Sequence, residues 1–179
     1  CYIISLSNQR VFCSLPQHQN TSVAIAIKEL VFSFGSSADP ILNIPAWEVK
    51  PNQRIFLQGN SGSGKSTLLA LLAGLRTPTS GAVTVLDTPI SQLSGRKRDA
   101  FRAKNIGVVF QNLNLIPFLS VLDNILIAAQ FGSGSVTGLR ARALDLLQRV
   151  NLEPRLSDRQ AEELSIGQQQ RVAIVRALI

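Results

Sequence analysis

The 179-residue chain has no methionine, two cysteines, one histidine and one tryptophan. With Cys1 first and no Met anywhere, the sequence is expected to be a fragment at its N-terminus. Cys1 and Cys13 show neither a pairing pattern nor metal-ligand spacing. That excludes a disulfide-stapled scaffold and fits a reducing, cytoplasmic setting. His18 matches no motif. Long apolar runs are also missing: the longest, Leu68 to Leu75, is far short of the roughly 20 residues that cross a bilayer. The opening 22 residues lack the basic, apolar, small-residue order of a secretory signal. Acidic residues are few, 11 against 18 Lys and Arg, for a net charge of +7. Such a surplus suits an anionic partner, yet Arg96, Lys97, Arg98, Arg102 and Lys104 cluster without interleaved aromatics. A solvated helix face explains that cluster, and no nucleic-acid partner is expected.

What is present is 45% hydrophobic residues, enough for one sizeable core. After the leader, residues 1–22, the stretch Ser22 to Phe34 alternates apolar and polar residues and is rich in β-branched types, so it reads as a strand. ILNIPAWEV, RIFLQ, AVTVL and IGVVF read as further strands. Lys65 to Ala73 reads as a buried helix that Gly74 stops, and the basic segment as a surface helix. Between Asn112 and Glu163 the strand character disappears: SVLDNILIAAQF and GLRARALDLLQRV predict helices joined by GSGSVTG.

GNSGSGKST, residues 59–67, follows a predicted strand and opens a predicted helix. It fits G-x-x-x-x-G-K-[ST] through Gly59, Gly64, Lys65 and Ser66. Glycines let successive N–H groups turn inward and approach phosphate closely, and the helix behind them adds its positive end. Lys65 would neutralise the outer phosphates, the Ser66 hydroxyl would ligate Mg²⁺, and Thr67 can add a donor. A Gly/Ser-rich turn can match by accident, but the strand before and the helix after favour nucleotide binding.

A second motif is LSIGQQQRVAIVRAL. Ser165 is a good N-cap and Gln168 completes a capping box, so a helix follows with Val172, Val175, Leu178 and Ile179 on its apolar side. Its start is another potential anion site, where the small Gly167 permits close approach. Alone it reads as an ordinary capped helix; paired with the phosphate loop it does not.

Together these stretches resemble the ATP-binding cassette (ABC) ATPase family. GNSGSGKST is similar to its Walker A loop and LSIGQ to its LSGGQ signature, with Ile166 where the family has a small residue. IGVVFQ resembles the strand that ends in the Q-loop glutamine, here Gln111, and Phe34 matches the aromatic that stacks on adenine, with strand core as its other reading. The resemblance covers Ile25 to Ile179, and the wording of NLIPFLSVLDNI and QQQRVAIVRAL is most similar to the lipoprotein-release and macrolide-export branch.

The resemblance implies an α/β fold: a P-loop NTPase domain over residues 23–179, with an antiparallel β-subdomain and a helical subdomain at 112–165. ATP and Mg²⁺ are the implied cofactors. The ATP-binding residues would be Phe34, Gly59, Asn60, Ser61, Gly62, Ser63, Gly64, Lys65, Ser66, Thr67 and Gln111, with Ser66 and Gln111 serving the metal. Ser165, Gly167 and Gln168 would contact ATP held by a second, head-to-tail copy. A membrane permease is the other implied partner, which places the protein at the inner face of the cell membrane. Leu115, Ile116, Phe118 and Leu119 would either dock the permease or fill the helical core. The family's Walker B Asp, catalytic Glu and switch His match nothing in these residues, so the C-terminal part of the core is expected to be missing and solubility poor. The 53 residues between Gln111 and Ser165 leave no room for the coiled coil of soluble repair-type ABC proteins, which favours transport. A fragment that binds nucleotide without hydrolysing it is the other alternative.

Overall fold

A computed structural model describes residues 3–6, 23–35, 39–133 and 138–179, with the backbone alone described for 3–6 and 131–133. The elements in chain order are β1 Ile3–Leu6, β2 Ile25–Phe32, β3 Leu42–Val49, α1 Lys65–Leu72, β4 Ser80–Val85, α2 Gly95–Asn105, β5 Ile106–Val109, α3 Val121–Ser133, α4 Leu139–Arg149 and α5 Ile166–Leu178. Cys1, Cys13, His18 and most of the Gly/Ser joiner after α3 lie outside the described residues. The chain divides into two compact units, one ending at Asp99 and the other made of β1 with everything from Ala100 on.

In the first unit β3, β2 and β4 form an antiparallel sheet in that order. β2 buries Ile25, Ile27, Leu30 and Phe32, with Ile25 opposite Val85 and Ile27 opposite Val83 of β4. Between Lys28 and Val31 the β2–β4 register shifts. Glu29 takes a φ of 47° at this bulge, and a Cβ on Gly81 would lie 2.1 Å from the Glu29 carbonyl oxygen, so only glycine fits there. α1 is apolar on several sides, as its leucines predict, and buries Leu68, Leu71 and Leu72. Gly74, φ 68°, ends it.

The expected strand RIFLQ does not form: residues 54–58 join no ladder, and Ile55 and Phe56 are 49% and 82% exposed. Alternation fixes which residues share a face, but a strand also needs a neighbour's N–H and C=O groups. Among the described residues no strand lies beside this segment.

The second unit packs α3, α4 and α5 around Val121, Leu122, Ile125, Ala143, Leu147, Leu164, Val172 and Val175. Among the described residues no strand interrupts it between Asn112 and Ser165. β5 lies against α5 so closely that a Cβ on Gly107 would meet the Ala177 carbonyl oxygen at 2.0 Å. β1, in the leader that sequence reasoning left unassigned, pairs antiparallel with β5, Ile3 opposite Val109 and Leu6 opposite Ile106.

Candidate functional site

The loop before α1 is shaped by glycine. Gly62 and Gly64 both have φ of 82°, and Gly64 is the N-cap of α1. A Cβ on Gly64 would sit 2.8 Å from Leu42 Cδ2, and one on Gly59 would sit 2.6 Å from Ser63 Oγ. The Ser63 amide donates to the Asn60 carbonyl at 3.2 Å, which closes the loop on itself. The Lys65 ammonium folds back across it, donating to the carbonyls of Gly59 and Asn60 at 2.8 and 2.7 Å and to Ser63 Oγ at 3.3 Å. No side chain caps α1 and no acidic residue stands in its first turn. The partial positive charge of the helix start is therefore left to whatever anion enters the loop.

The chemistry of this cradle fits a polyphosphate: backbone donors at an uncapped helix start, one ammonium, and the exposed Ser66 hydroxyl beside them. The Ser66 hydroxyl is also an oxygen donor of the kind a hard cation such as Mg²⁺ takes. Among the described residues there is no cluster of three or more His, Cys, Asp or Glu.

Phe34 lies just beyond β2 and is 47% exposed, whereas Phe32 is the buried core aromatic. The two rings meet edge to face, with centroids 5.0 Å apart. The Arg76 guanidinium stands 4.8 Å from the Phe34 centroid, within cation–π range. Those residues, with Ser33, Gly35, Leu75, Thr77 and Arg98, line a cleft of about 330 Å³. No sequence signal singled out Arg76; it follows a stop glycine and reads as a turn residue.

In the second unit β5 ends at Val109 and Gln111 follows in an exposed turn. Leu113 and Asn114 are consecutively left-handed, φ 59° and 49°, a conformation that asparagine tolerates and leucine disfavours. Arg176 of α5 donates to both of their carbonyls. Burial lowers the pKa of its guanidinium. Farther on, the fully buried Asn124 holds the next turn: its Oδ1 accepts from the Ile116 amide at 2.7 Å. Its Nδ2 donates to the carbonyls of Ile116, Leu119 and Ser120 at 3.0 to 3.2 Å. Sequence reasoning missed both residues. The signal available for Asn124 was one amide amid the apolar stretch VLDNILIA. Of the four apolar residues in this turn, Phe118 is 70% exposed and Leu115 packs against the helical core.

The second motif opens α5. Ser165 Oγ accepts from the Gln168 amide at 3.3 Å and Gln168 Oε1 accepts from the Ser165 amide at 2.9 Å, the reciprocal capping box. Gln169 Nε2 ties the preceding turn down through the carbonyls of Ala161 and Leu164. Gly167 is exposed with nothing within 4 Å of where a Cβ would stand, and Ile166 beside it is 67% exposed.

Comparison with known proteins bears on this pair of glycine-marked helix starts. The ABC transporter family matches residues 42–179. The chain is 44% identical over 149 residues to the lipoprotein-releasing system ATP-binding protein LolD 2 of Rhodospirillum rubrum, covering 83% of this chain and 64% of that relative. It is 39% identical to an uncharacterized ABC transporter ATP-binding protein of Mycobacterium tuberculosis, covering 89% of this chain and again 64% of the relative. This chain thus spans a little under two thirds of the length of these curated relatives. Among solved structures it is similar to a dimeric bacterial ABC transporter cassette, MJ0796, with a TM-score of 0.77 and 35% identity, covering 86% of this chain and 68% of that one. The post-hydrolysis state of that cassette, bound to ADP and Pi, matches with a TM-score of 0.73. The match over residues 42–179 includes both the phosphate loop and the signature, and the chain belongs to the ABC transporter family.

Proposed function

We propose that this chain is the ATP-binding part of an ABC transporter subunit, which binds Mg-ATP and, in the whole protein, hydrolyses it to drive a membrane permease. The observation that carries this is the start of α1, with an uncapped N-terminus, left-handed Gly62 and Gly64, and Lys65 poised across the loop. On this reading Gly59 to Gly64 wrap the β- and γ-phosphates with backbone N–H groups, Lys65 exchanges its loop carbonyls for phosphate oxygens, and Thr67 adds a donor. Ser66 and Gln111 serve Mg²⁺, which would neutralise developing charge on the phosphates. Phe34 stacks on adenine beside Arg76, and its exposure outside the strand supports that role over strand core.

Ser165, Gly167 and Gln168 would contact the γ-phosphate on a second copy, head to tail. The open approach over Gly167 supports this, as does the dimeric form of the related cassette. Phe118, exposed on a turn that Asn124 pins, would meet the permease. Among the described residues no helix is long and apolar enough to cross a membrane. A permease would therefore hold the protein at the membrane, on the cytoplasmic side where ATP is found. Residues 23–179 act as the ATP-binding domain, with 112–165 as its helical part.

The test is ATP-Mg binding to the full-length protein by calorimetry. Lys65→Ala is expected to weaken it at least about tenfold, which is roughly 1.4 kcal/mol. Wild-type affinity in that variant would refute the phosphate-loop assignment, and binding without turnover in the wild type would replace hydrolysis by the binding-only alternative.

A further inference from the structure

We propose that Arg176 is a positioning residue that holds the segment after Gln111 in shape and couples it to the helix that starts at the signature. This rests on the reading of Gln111 as a group of the ATP site. Within the segment the Leu113 amide donates to the Phe110 carbonyl at 3.0 Å and the Asn114 amide to the Asn112 carbonyl at 2.6 Å, yet Leu113 and Asn114 sit side by side in the left-handed region, which asparagine tolerates and leucine disfavours. Their carbonyls point to one place, and the Arg176 guanidinium fills it, with Nη2 donating to Leu113 and Nη1 to Asn114. A planar fork with fixed donors can bridge two such oxygens; a lysine ammonium is a single point charge on a flexible stem. Its bonded partners are the two carbonyl oxygens, and burial lowers its pKa, so the loop's dipoles face a charge that is partly desolvated.

The base of Arg176 is itself fixed. The next residue, Ala177, presses its carbonyl against Gly107 of β5, so closely that no Cβ fits. Arg176 therefore reaches from a helix packed closely on β5 to the turn that follows the end of β5. Asn124 pins the far side of the same segment at Ile116, Leu119 and Ser120. Gln111 is left between the strand end and the Arg176 bridge. α5 is a continuous helix of 13 residues, about 20 Å long, from the capping box at Ser165 to the bridge. A shift of the signature end of α5 is thereby carried to the turn beside Gln111.

The test uses the full-length protein with Arg176→Ala, Arg176→Lys and Leu113→Gly. In nucleotide-free protein, hydrogen exchange at amides 112–115 is expected to quicken about tenfold in Arg176→Ala, with the amides of α5 from Gln169 to Val175 changed by less than about twofold. Arg176→Lys is expected to recover little of this protection, because one ammonium does not bridge both carbonyls. In steady-state ATP hydrolysis, Arg176→Ala is expected to lower kcat about tenfold and raise the Mg²⁺ concentration required, with ATP affinity within about twofold of wild type. Leu113→Gly added to Arg176→Ala is expected to restore a good part of kcat, since glycine adopts positive φ without penalty. Unchanged exchange at 112–115, loss of protection spread evenly through α5, or full recovery by lysine would overturn the proposal. Absence of ATP turnover in the wild type would strike the reading of the site alone, and the exchange comparison would still decide whether Arg176 holds the segment. Should Arg176→Ala fail to fold, Arg176→Gln takes its place in the same comparison.

Discussion

Replacing Asn124 with alanine is the sharpest perturbation of the turn that presents Phe118. Asn124 is fully buried on α3, and its amide group is satisfied at both ends: one bond accepted from Ile116, and two N–H groups shared among three carbonyls. Three hydrogen bonds' worth of satisfaction disappears in Asn124→Ala, at about 1 kcal/mol each, and the Ile116 amide is orphaned where water enters poorly. The expected loss is about 3 kcal/mol, which lowers the urea midpoint by roughly 1–2 M at unchanged m. Asn124→Asp separates hydrogen bonding from volume. Its carboxylate still accepts from the Ile116 amide, but its second oxygen faces the carbonyls of Ile116, Leu119 and Ser120 and repels them. At neutral pH it is expected to be at least as damaging as alanine. The new carboxyl, raised in pKa by burial, should win back stability as pH falls, because its protonated form again donates. A midpoint shift in Asn124→Ala corresponding to less than about 1 kcal/mol would refute the claim that this side chain holds the turn.

Three glycine variants and two at Ser165 test the rest of the frame. Gly81→Ala places a Cβ 2.1 Å from a backbone oxygen that cannot move without breaking the bulge, so a loss above about 3 kcal/mol is expected by urea unfolding; Gly138→Ala, with similar φ and open space, should cost only about 1 kcal/mol. Equal losses would show that φ, not space, sets the penalty at Gly81. Gly64→Ala combines a φ of 82° with a Cβ 2.8 Å from Leu42 Cδ2, and is expected to cost about 2–4 kcal/mol, a fall in Tm of roughly 5–15 °C by calorimetry. Ser165→Ala should lower stability by about 1 kcal/mol and weaken ATP-driven pairing of full-length chains; Ser165→Asp should restore the cap but not the pairing, measured by size-exclusion chromatography with ATP. Pairing that returns with the aspartate would mean that Ser165 serves only its own helix.

The sequence was most legible where a residue type acts on its own neighbours. The phosphate loop needs glycine at fixed offsets, and Gly62 and Gly64 take the left-handed angles that only glycine adopts freely. The capping box joins Ser165 to a residue three positions away, so its bonds could be written down before any fold existed. β2 and the amphipathic helices α3, α4 and α5 follow their hydrophobic periods. What stayed hidden depends on distant backbone. Arg176 acts on carbonyls 62 and 63 residues earlier, and nothing in the string says that Leu113 and Asn114 turn left-handed. The strand expected at 54–58 failed for a related reason: alternation specifies a face, whereas a ladder depends on a neighbour the segment does not encode.

The two helix starts that carry the motifs are not equivalent, and the difference orders the proposed chemistry. α1 begins at a glycine with no side-chain cap, so its first turn keeps donors for an incoming anion and Lys65 adds a full charge. α5 begins already closed by its own Ser165 and Gln168, so an anion there competes with bonds the helix has made. The first site can therefore capture a polyphosphate from solution. The second holds only weakly, unless the anion is delivered already bound and the cost of bringing the groups together is met by the loop of another copy. In the proposed head-to-tail pair each copy would bring one strong and one weak start, so strong would meet weak twice. On this account ATP binds one copy first, and pairing follows.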